Sequence, residues 1–231
     1  MCGIVGYIGH AGGDRDYFAL DVVLEGLRRL EYRGYDSAGV AMYADGDISW
    51  RKKAGKVAAL DAEIEARPLP DSVLGIGHTR WATHGGPTDL NAHPHVVDGS
   101  KLAVVHNGII ENFAELKSEL LNKGYNFVSE TDTEVAATLL GDVFHNEAAG
   151  DLTKAMQLTC SRLEGAFTLL AIHAEQADRI VAARRDSPLV IGLGEGENFL
   201  GSDVSGFIDY TKSAVEMDND QVVTITADEV E

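Results

Sequence analysis

A cysteine directly follows the initiator methionine in this chain. Once Met1 is trimmed, which a small second side chain permits, Cys2 carries a thiol and a free α-amine on one residue. The ordinary pKa of an α-amine is about 7.7 to 8.0, against roughly 10.4 for a lysine amine, so much of it is a free base near neutral pH. Base and nucleophile are then linked covalently. The position alone is compatible with a nucleophilic Cys2, but free cysteines more often act as small buried hydrophobes, and CGIVGYI also has the pattern of an ordinary first strand.

Five further segments combine polar side chains with glycine or lie in polar loops. They are EYRGYDSAG (31–39), HTRWATHG (78–85), NAHPH (91–95), VVHNGIIEN (104–112) and SETDTE (129–134). Together with CGIVG they resemble the class II glutamine amidotransferases, whose glutaminase domains are N-terminal nucleophile hydrolases. The resemblance runs from Cys2 to about Asp203. Six strings in the expected order are far more specific than one short motif.

The resemblance implies a fold and an activity. The fold is α+β, a four-layer αββα sandwich, and we expect one glutaminase domain over 1–231 that needs no cofactor. Its substrate would be L-glutamine, hydrolysed to glutamate and ammonia. The strings are closest to family members that continue into sugar-phosphate isomerase domains with fructose 6-phosphate as acceptor. Nothing similar follows here, so those domains are expected to be absent.

Three alternatives stay open beside this prediction. The glutaminase could serve another acceptor, such as phosphoribosyl pyrophosphate or aspartate. A chain that keeps Met1 would bury the required amine in a peptide bond and could be a catalytically silent binding module. The third alternative is a metal-binding module built from histidines, namely His78, His84, His93, His95 and His106. His93 and His95 flank a proline and imidazoles are good ligands, but no cysteine or carboxylate completes a tight set nearby in sequence. We predict no metal, and that His93 orders its loop.

Specific roles follow from the resemblance. The Asn107 side-chain amide and the Gly108 backbone N–H are implied to form the oxyanion hole, which stabilises charge on the attacked carbonyl. An Asn-Gly pair alone is more typical of a hairpin turn. Arg80 is implied to hold the α-carboxylate of glutamine through two parallel hydrogen bonds, and Asp132 to pair with its α-ammonium. An aspartate at the start of a helix is also a good N-cap, so this second interpretation of Asp132 remains.

The same segments are implied to close the pocket. Thr83 and His84 would line it, Trp81 would form part of a lid, and the glycines at 85–86 would give that lid backbone freedom. A further polar cluster, expected to support Cys2 from behind without catalysing, consists of Arg33, Tyr35, Asp36 and Ser37.

Composition excludes several classes of function. A chain of 231 residues that is 45% hydrophobic can bury the core of one large domain or two small ones. Its 37 acidic and 19 basic residues give a formal charge of -18, which repels phosphate backbones and anionic lipids and argues against nucleic-acid and membrane partners. Neither a leader nor a run of about 18 apolar residues is present, so we predict a cytoplasmic protein. Cys160 has apolar neighbours in a helical pattern and is predicted to be core.

Hydrophobic periodicity predicts alternating strands and helices. Helices are expected over 15–30, 57–66, from Asn112 to Gly124, over 133–145 and over 152–163. Strands are expected at 2–8, 39–43, 48–54, 73–78, 102–106, within a strand-rich stretch at 166–203, and at 221–227. A loop should connect 78 to 99, a hairpin should turn at 45–47, and Asn112 with Glu115 has the spacing of a capping box. Periodicity alone predicts α+β layers but not their number.

Overall fold

The computed structural model describes residues 2–10 and 17–231. The strands are β1 (Gly3–Gly9), β2 (Ser37–Ala44), β3 (Asp47–Ala54), β4 (Leu74–Arg80), β5 (His95–Val97), β6 (Leu102–Ile110), β7 (Gly165–His173), β8 (Ile180–Arg185), β9 (Val190–Leu193), β10 (Glu197–Gly201), β11 (Ser213–Glu216) and β12 (Gln221–Ile225). The helices are α1 (Ala19–Leu30), α2 (Val57–Ala66), α3 (Phe113–Asn122), α4 (Asp132–Asn146) and α5 (Leu152–Cys160).

The strands form two antiparallel sheets that pack face to face. One sheet has the order β11-β9-β10-β1-β4-β2-β3, and the other has the order β12-β8-β7-β6-β5. In β1, Ile4 and Ile8 point into the core between the sheets, while Val5 and Tyr7 point towards the helix on the other face. Because successive side chains of a strand alternate between faces, a strand buried on both sides reads as the continuous apolar run CGIVGYI.

Helices cover the outer face of each sheet. Residues from α1 and α2 pack with Val5 and Phe199 of the first sheet, and residues from α3, α4 and α5 pack on the second. Fully burying a leucine such as Leu27 contributes about 1.5 to 3 kcal/mol relative to leaving it exposed. The resulting layers are helix, sheet, sheet, helix, which confirms the four-layer αββα fold. Within the described ranges, no helix is both long and apolar enough to cross a membrane.

Several local predictions are confirmed. The hairpin between β2 and β3 turns through Asp45 and Gly46, both at positive φ, with Ala44 paired to Asp47. Helix α3 is closed by Gly124, whose φ is +95°. Cys160 is buried at the end of α5. Of the helix predicted over 15–30, positions 15 and 16 lie outside the described residues, and positions 17 and 18 precede α1, which begins at Ala19.

Other local predictions are wrong. The Asn112 side chain does not cap α3; it donates to Arg162 O and accepts from Glu164 N–H, and so ties the helix to the segment before β7. The hairpin turn that was the alternative interpretation of Asn107 and Gly108 is not formed, because both residues lie inside β6, which continues to Ile110. The short strands β5 and β11 were not predicted. The helix predicted over 152–163 ends three residues early.

Candidate active site

A cavity of about 340 Å³ opens where Cys2 enters β1, β4 ends and β6 passes Asn107. The residues that line it are Cys2, Arg33, His78, Arg80, Trp81, Thr83, His93, His106, Asn107, Gly108, Ile109, Thr131, Asp132, Thr133, Ala166, Asp186, Ser187 and Pro188. Of the residues predicted to catalyse or to bind substrate, all except His84 are in this wall; of the supporting residues, Arg33 and His93 are in it and Tyr35, Asp36 and Ser37 are not. The His84 ring packs edge-on against Phe113, with 5.2 Å between ring centroids.

The Cys2 thiol sits half-buried at the mouth of this cavity. Its Sγ accepts a hydrogen bond from the Trp81 backbone N–H at 3.1 Å. Gly3 N–H donates to Thr79 Oγ1 at 3.2 Å and so holds the residue after the thiol against β4. Burial raises the pKa of the Cys2 thiol above its ordinary value, and the Trp81 N–H only partly opposes this. The thiol is therefore protonated near neutral pH, and attack on a carbonyl requires a base.

The Asn107 side chain lies directly beside Cys2. Its Nδ2 donates to the Cys2 carbonyl oxygen at 3.0 Å, and its Oδ1 lies 2.9 Å from His78 Nε2. The following residue, Gly108, has a φ of +118°, and a Cβ there would lie 2.0 Å from Ala166 O. Only glycine fits at this point of the β6–β7 pairing. One hydrogen of the Asn107 amide is used by Cys2, and the second is available to a substrate.

The Arg80 guanidinium is buried under the loop that follows β4. It donates to the Gly86 and Gly85 carbonyl oxygens, each at 3.1 Å, and to His84 O. Its remaining N–H groups, one on Nε and one on Nη1, have no acceptor among the residues described. Burial lowers the pKa of Arg80, and the nearby Cys2 and Asp132 oppose the shift. The guanidinium thus shapes the loop while keeping donors for a ligand.

Asp132 is the first residue of α4, but it does not cap the helix. The N-cap is Thr131, whose side chain accepts from Glu134 N–H at 3.2 Å, so the N-cap interpretation of Asp132 is wrong. Asp132 Oδ2 accepts from Ile110 N–H at 2.9 Å, which fixes the carboxylate against β6. A negative charge in the first turn of a helix is favourable.

Two side chains outside the predicted set hold the loop between β4 and β5. Lys52 Nζ donates to the carbonyl oxygens of Leu90, Ala92 and Pro94 at 3.1, 2.7 and 3.2 Å. Burial lowers the pKa of Lys52 to about 8. Asn91 spans the loop and the segment before α4, since its Nδ2 donates to Gly86 O and to the Glu130 carboxylate, each at 3.1 Å.

The predicted supporting cluster anchors the other end of this loop. Asp36 Oδ2 accepts from Ala82 N–H at 2.8 Å, and the Tyr35 and Trp81 rings meet edge to face with 5.3 Å between centroids. Arg33 forms an ion pair with Asp203 at 3.1 Å. Tyr35 and Asp36 therefore contact residues 81–82, where the Trp81 backbone N–H bonds to Cys2 Sγ.

Four histidines are buried in the cavity wall or beside it. They are His78, His93, His95 and His106. The His78 and His93 rings stack at 4.1 Å, and His93 Nδ1 accepts from His106 N–H at 3.3 Å. Burial lowers the pKa of all four, in His78 to about 3. These imidazoles are neutral near pH 7.

This burial predicts acid sensitivity. As the pH falls below about 6.5, the unfolded chain takes up a proton at each of these histidines and the folded protein does not, so stability falls with pH. Each neutral histidine should contribute a slope of about 1.4 kcal/mol per pH unit until its folded pKa is reached. Urea unfolding between about pH 7 and about pH 5 measures the slope. His78→Gln should reduce the slope by the contribution of one histidine, about 1.4 kcal/mol per pH unit. An unfolding free energy that does not change over this pH range would contradict the burial of neutral histidines.

A different set of histidines forms the one metal-like grouping among the residues that the structure describes. His145 Nε2 and His173 Nε2 lie 2.7 and 3.2 Å from Asp98 Oδ2. The Glu175 N–H donates to His173 Nδ1 at 3.2 Å, so in the neutral ring Nε2 carries the hydrogen and donates to Asp98. The geometry is that of a hydrogen-bonded carboxylate, not of a site with free lone pairs. The five histidines of the metal-binding alternative form no such grouping.

The sequence does not indicate the contacts of several cavity residues. From the sequence, His78 and His106 are considered only as metal ligands, and nothing in the strings HTRWATHG and VVHNGIIEN indicates that His78 meets Asn107 of the opposite sheet or that His106 meets Thr133 of α4. The wall segment at 186–188 belongs to no polar motif at all. Contacts between distant segments place these residues at the site. The spacing of residues within one segment does not reveal such contacts.

Comparison with known proteins agrees with the fold and the cavity. The glutamine amidotransferase domain family model matches residues 78–209. The chain superposes over its whole length on a solved glutamine phosphoribosylpyrophosphate amidotransferase from B. subtilis, covering 48% of that chain at 24% identity with a TM-score of 0.81. That likeness is one of fold, the N-terminal nucleophile hydrolase type. The chain belongs to the glutamine amidotransferase domain family and is thus an enzyme domain.

More similar sequences carry one name. The chain is 83% identical over 229 residues to a glutamine–fructose-6-phosphate aminotransferase (isomerizing) of Corynebacterium diphtheriae, a match that covers 99% of this chain and 37% of the relative. Proteins of the same name from Streptomyces coelicolor and Mycobacterium tuberculosis are 59% and 50% identical, each with 36% of its length covered. The chain thus spans little more than a third of the curated relatives it matches.

Proposed function

We propose that this chain hydrolyses the side-chain amide of free L-glutamine through a thioester on Cys2. The observation that carries the proposal is the convergence of Cys2, Asn107, Arg80 and Asp132 on one cavity from four separate segments of the chain. A nucleophile, an amide donor, a guanidinium and a carboxylate are the groups that hydrolysis of a zwitterionic amide requires.

The reaction begins at the thiol. After removal of Met1, the α-amine of Cys2 takes the thiol proton, and Sγ attacks the side-chain carbonyl carbon of glutamine. The negative charge that develops on the carbonyl oxygen is met by Asn107 Nδ2–H and Gly108 N–H. The protonated amine then gives its proton to the amide nitrogen, and ammonia leaves as the C–N bond breaks. A γ-glutamyl thioester remains on Cys2.

Water completes the cycle. The same α-amine removes a proton from water, which attacks the thioester carbonyl, and the oxyanion is again held by Asn107 and Gly108. Collapse breaks the C–S bond, releases glutamate and returns the proton to the thiolate. The half-burial of Cys2, which keeps its thiol protonated at rest, makes this built-in base necessary.

Recognition of free glutamine rests on its two charges. Arg80 would hold the α-carboxylate with the donors that the loop carbonyls leave, and Asp132, fixed by Ile110 N–H, would accept the α-ammonium. Trp81, almost half exposed beside Cys2, would cover the bound substrate, and Thr83 would line the pocket. His84, whose carbonyl accepts from Arg80, would act by shaping the loop.

The acceptor of the ammonia is proposed to be fructose 6-phosphate. Relatives that are 83% to 50% identical bear the name glutamine–fructose-6-phosphate aminotransferase, and most of their length lies outside the match. That remaining length would hold sugar-phosphate isomerase domains, with the 231 residues as one glutaminase domain. The phosphoribosylpyrophosphate enzyme is similar in fold alone, so it does not favour its acceptor here. Two free cysteines, one of them the nucleophile, fit the reducing cytoplasm.

The test is a glutaminase assay on protein whose N-terminus is mapped to Cys2. We expect equal amounts of glutamate and ammonia from free glutamine, and little reaction when the α-amine is acylated or the α-carboxylate esterified. Arg80→Lys should raise KM about 10- to 100-fold, because an ammonium keeps the charge but cannot make the planar two-pronged contact. Full activity on both blocked analogues, with an unchanged KM in Arg80→Lys, would rule the charge recognition out.

A further inference from the structure

The oxyanion-hole amide is held by a residue of the opposite sheet. Asn107 lies on β6, where it pairs with Thr168, and His78 lies on β4, flanked by Ile4 and Gly39. The 2.9 Å contact between His78 Nε2 and Asn107 Oδ1 therefore crosses the interface between the two sheets, directly below Cys2. Both side chains are buried, with exposed fractions of 0% and 6%.

The hydrogen-bond partners determine which way the Asn107 amide faces. Asn107 donates to the Cys2 carbonyl, which can only accept, so the nitrogen of the amide must be on the Cys2 side. The amide oxygen then faces His78 and can only accept. His78 Nε2 must consequently carry a hydrogen, and His78 Nδ1, which is buried without a hydrogen-bond partner among the described residues, carries the lone pair.

The surroundings of His78 keep it in this single state. Its ring is stacked on His93 at 4.1 Å, and a second proton would place a charge on a fully buried side chain between the sheets. Burial holds the pKa of His78 at about 3, far below the pH at which an amidotransferase would work. The ring is thus a fixed neutral donor rather than an acid or a base.

We propose that His78 is a positioning residue that holds the Asn107 carboxamide with its nitrogen towards Cys2. Without this donor only the Cys2 carbonyl opposes rotation of the amide by half a turn, which would present an oxygen to the developing oxyanion and repel it. The proposal rests on the proposed role of Asn107 in glutamine hydrolysis. His78 does not touch substrate in this account and acts only through Asn107.

Two substitutions of His78 test whether the position of its hydrogen-bond donor matters, and not merely that a polar side chain is present. The amide nitrogen of glutamine can reach the place of His Nε2, whereas that of asparagine reaches only the place of Nδ1. His78→Asn should lower kcat about 10- to 100-fold, which is less than the effect of removing an oxyanion donor entirely. KM should stay within about threefold of the parent value. His78→Gln should recover most of this loss. His173→Asn, a buried histidine bonded to Asp98, is the control for disturbing a core imidazole.

A double-mutant comparison tests whether the effect passes through Asn107. In an Asn107→Ala background there is no amide left to orient, so adding His78→Asn should lower kcat no further. Alkylation of Cys2 by iodoacetamide, which develops no oxyanion, should proceed at the parent rate in all variants. An additive loss in the double variant, or parent kcat in His78→Asn, would overturn the proposal. If Asn107→Ala itself keeps parent kcat, the oxyanion role fails instead.

NMR of the parent protein tests the proposal without any substituted protein. With ¹⁵N-labelled histidine, the nitrogen chemical shifts distinguish a protonated from an unprotonated ring nitrogen. His78 should show hydrogen on Nε2 and none on Nδ1, unchanged from about pH 5 to about pH 8, the range in which an unperturbed histidine titrates. Hydrogen on Nδ1, or titration in this range, would contradict the proposal even if the substituted proteins are unstable.

Discussion

Replacement of Cys2 by alanine should abolish glutaminase activity, with kcat/KM falling at least about 10⁴-fold. The thiol is the only group of the cavity wall that can form the thioester, and no neighbouring serine or cysteine among the described wall residues lies at its place beside Trp81 N–H. The fold should persist, since the half-buried sulfur makes its contacts at the edge of the core and its loss should cost about 1 kcal/mol or less.

The matched control is Cys160→Ala. Cys160 is buried at the end of α5, away from the cavity wall, and burial raises its pKa to about 12, so it is neither placed nor ionised for nucleophilic attack. The variant should keep its turnover and lose only some stability. Ammonia release and thermal unfolding, measured on both variants, separate chemistry from folding. Turnover in Cys2→Ala equal to that of the parent would remove the nucleophile assignment.

The second largest loss is expected for Asn107→Ala. Removal of one oxyanion donor typically lowers kcat about 100- to 1000-fold, which corresponds to about 2.7 to 4 kcal/mol of transition-state stabilisation. KM should change little, because Asn107 is proposed to meet the charge that appears during reaction and not the charges of bound glutamine. Steady-state kinetics at several glutamine concentrations give both constants.

Asn112→Ala is the control for this substitution. Asn112 lies just after β6, the strand that contains Asn107, and its amide bonds to the backbone of Arg162 and Glu164 instead of facing the cavity. The variant should unfold at a lower urea concentration but turn over glutamine as the parent does. A rise in KM without a fall in kcat for Asn107→Ala would place that residue in binding and remove it from the oxyanion hole.

The local signals in the sequence were reliable where one segment decides its own conformation. Asp45-Gly46 forms the hairpin turn and Gly124 ends α3, because positive φ suits these positions. Asn112 and Glu115 have the spacing of a capping box, but the Asn112 side chain does not cap α3. It bonds instead to a donor and an acceptor in the distant loop before β7. Tertiary partners override a local motif when they satisfy the same polar atoms.

At the site, too, the sequence revealed the individual segments but not how they come together. The strings around Arg80, Asn107 and Asp132 could be located because each concentrates polar residues, with glycine in those of Arg80 and Asn107. Their relation to each other could not, since it depends on which strands pair and which sheets face one another. Lys52 illustrates the limit: it lies in an ordinary strand pattern, and only the fold brings its ammonium under three carbonyls of the loop that covers Arg80.

The central claim is that the Cys2 thiol attacks the side-chain carbonyl of bound glutamine. It is tested most directly with an electrophilic analogue, a diazo ketone of the shape of glutamine, followed by mass spectrometry of a proteolytic digest. The account predicts one label per chain on Cys2, slowed by excess glutamine, unaffected by chelators and dependent on removal of Met1. A label on Cys160, or labelling and turnover both lost on chelation, would contradict it.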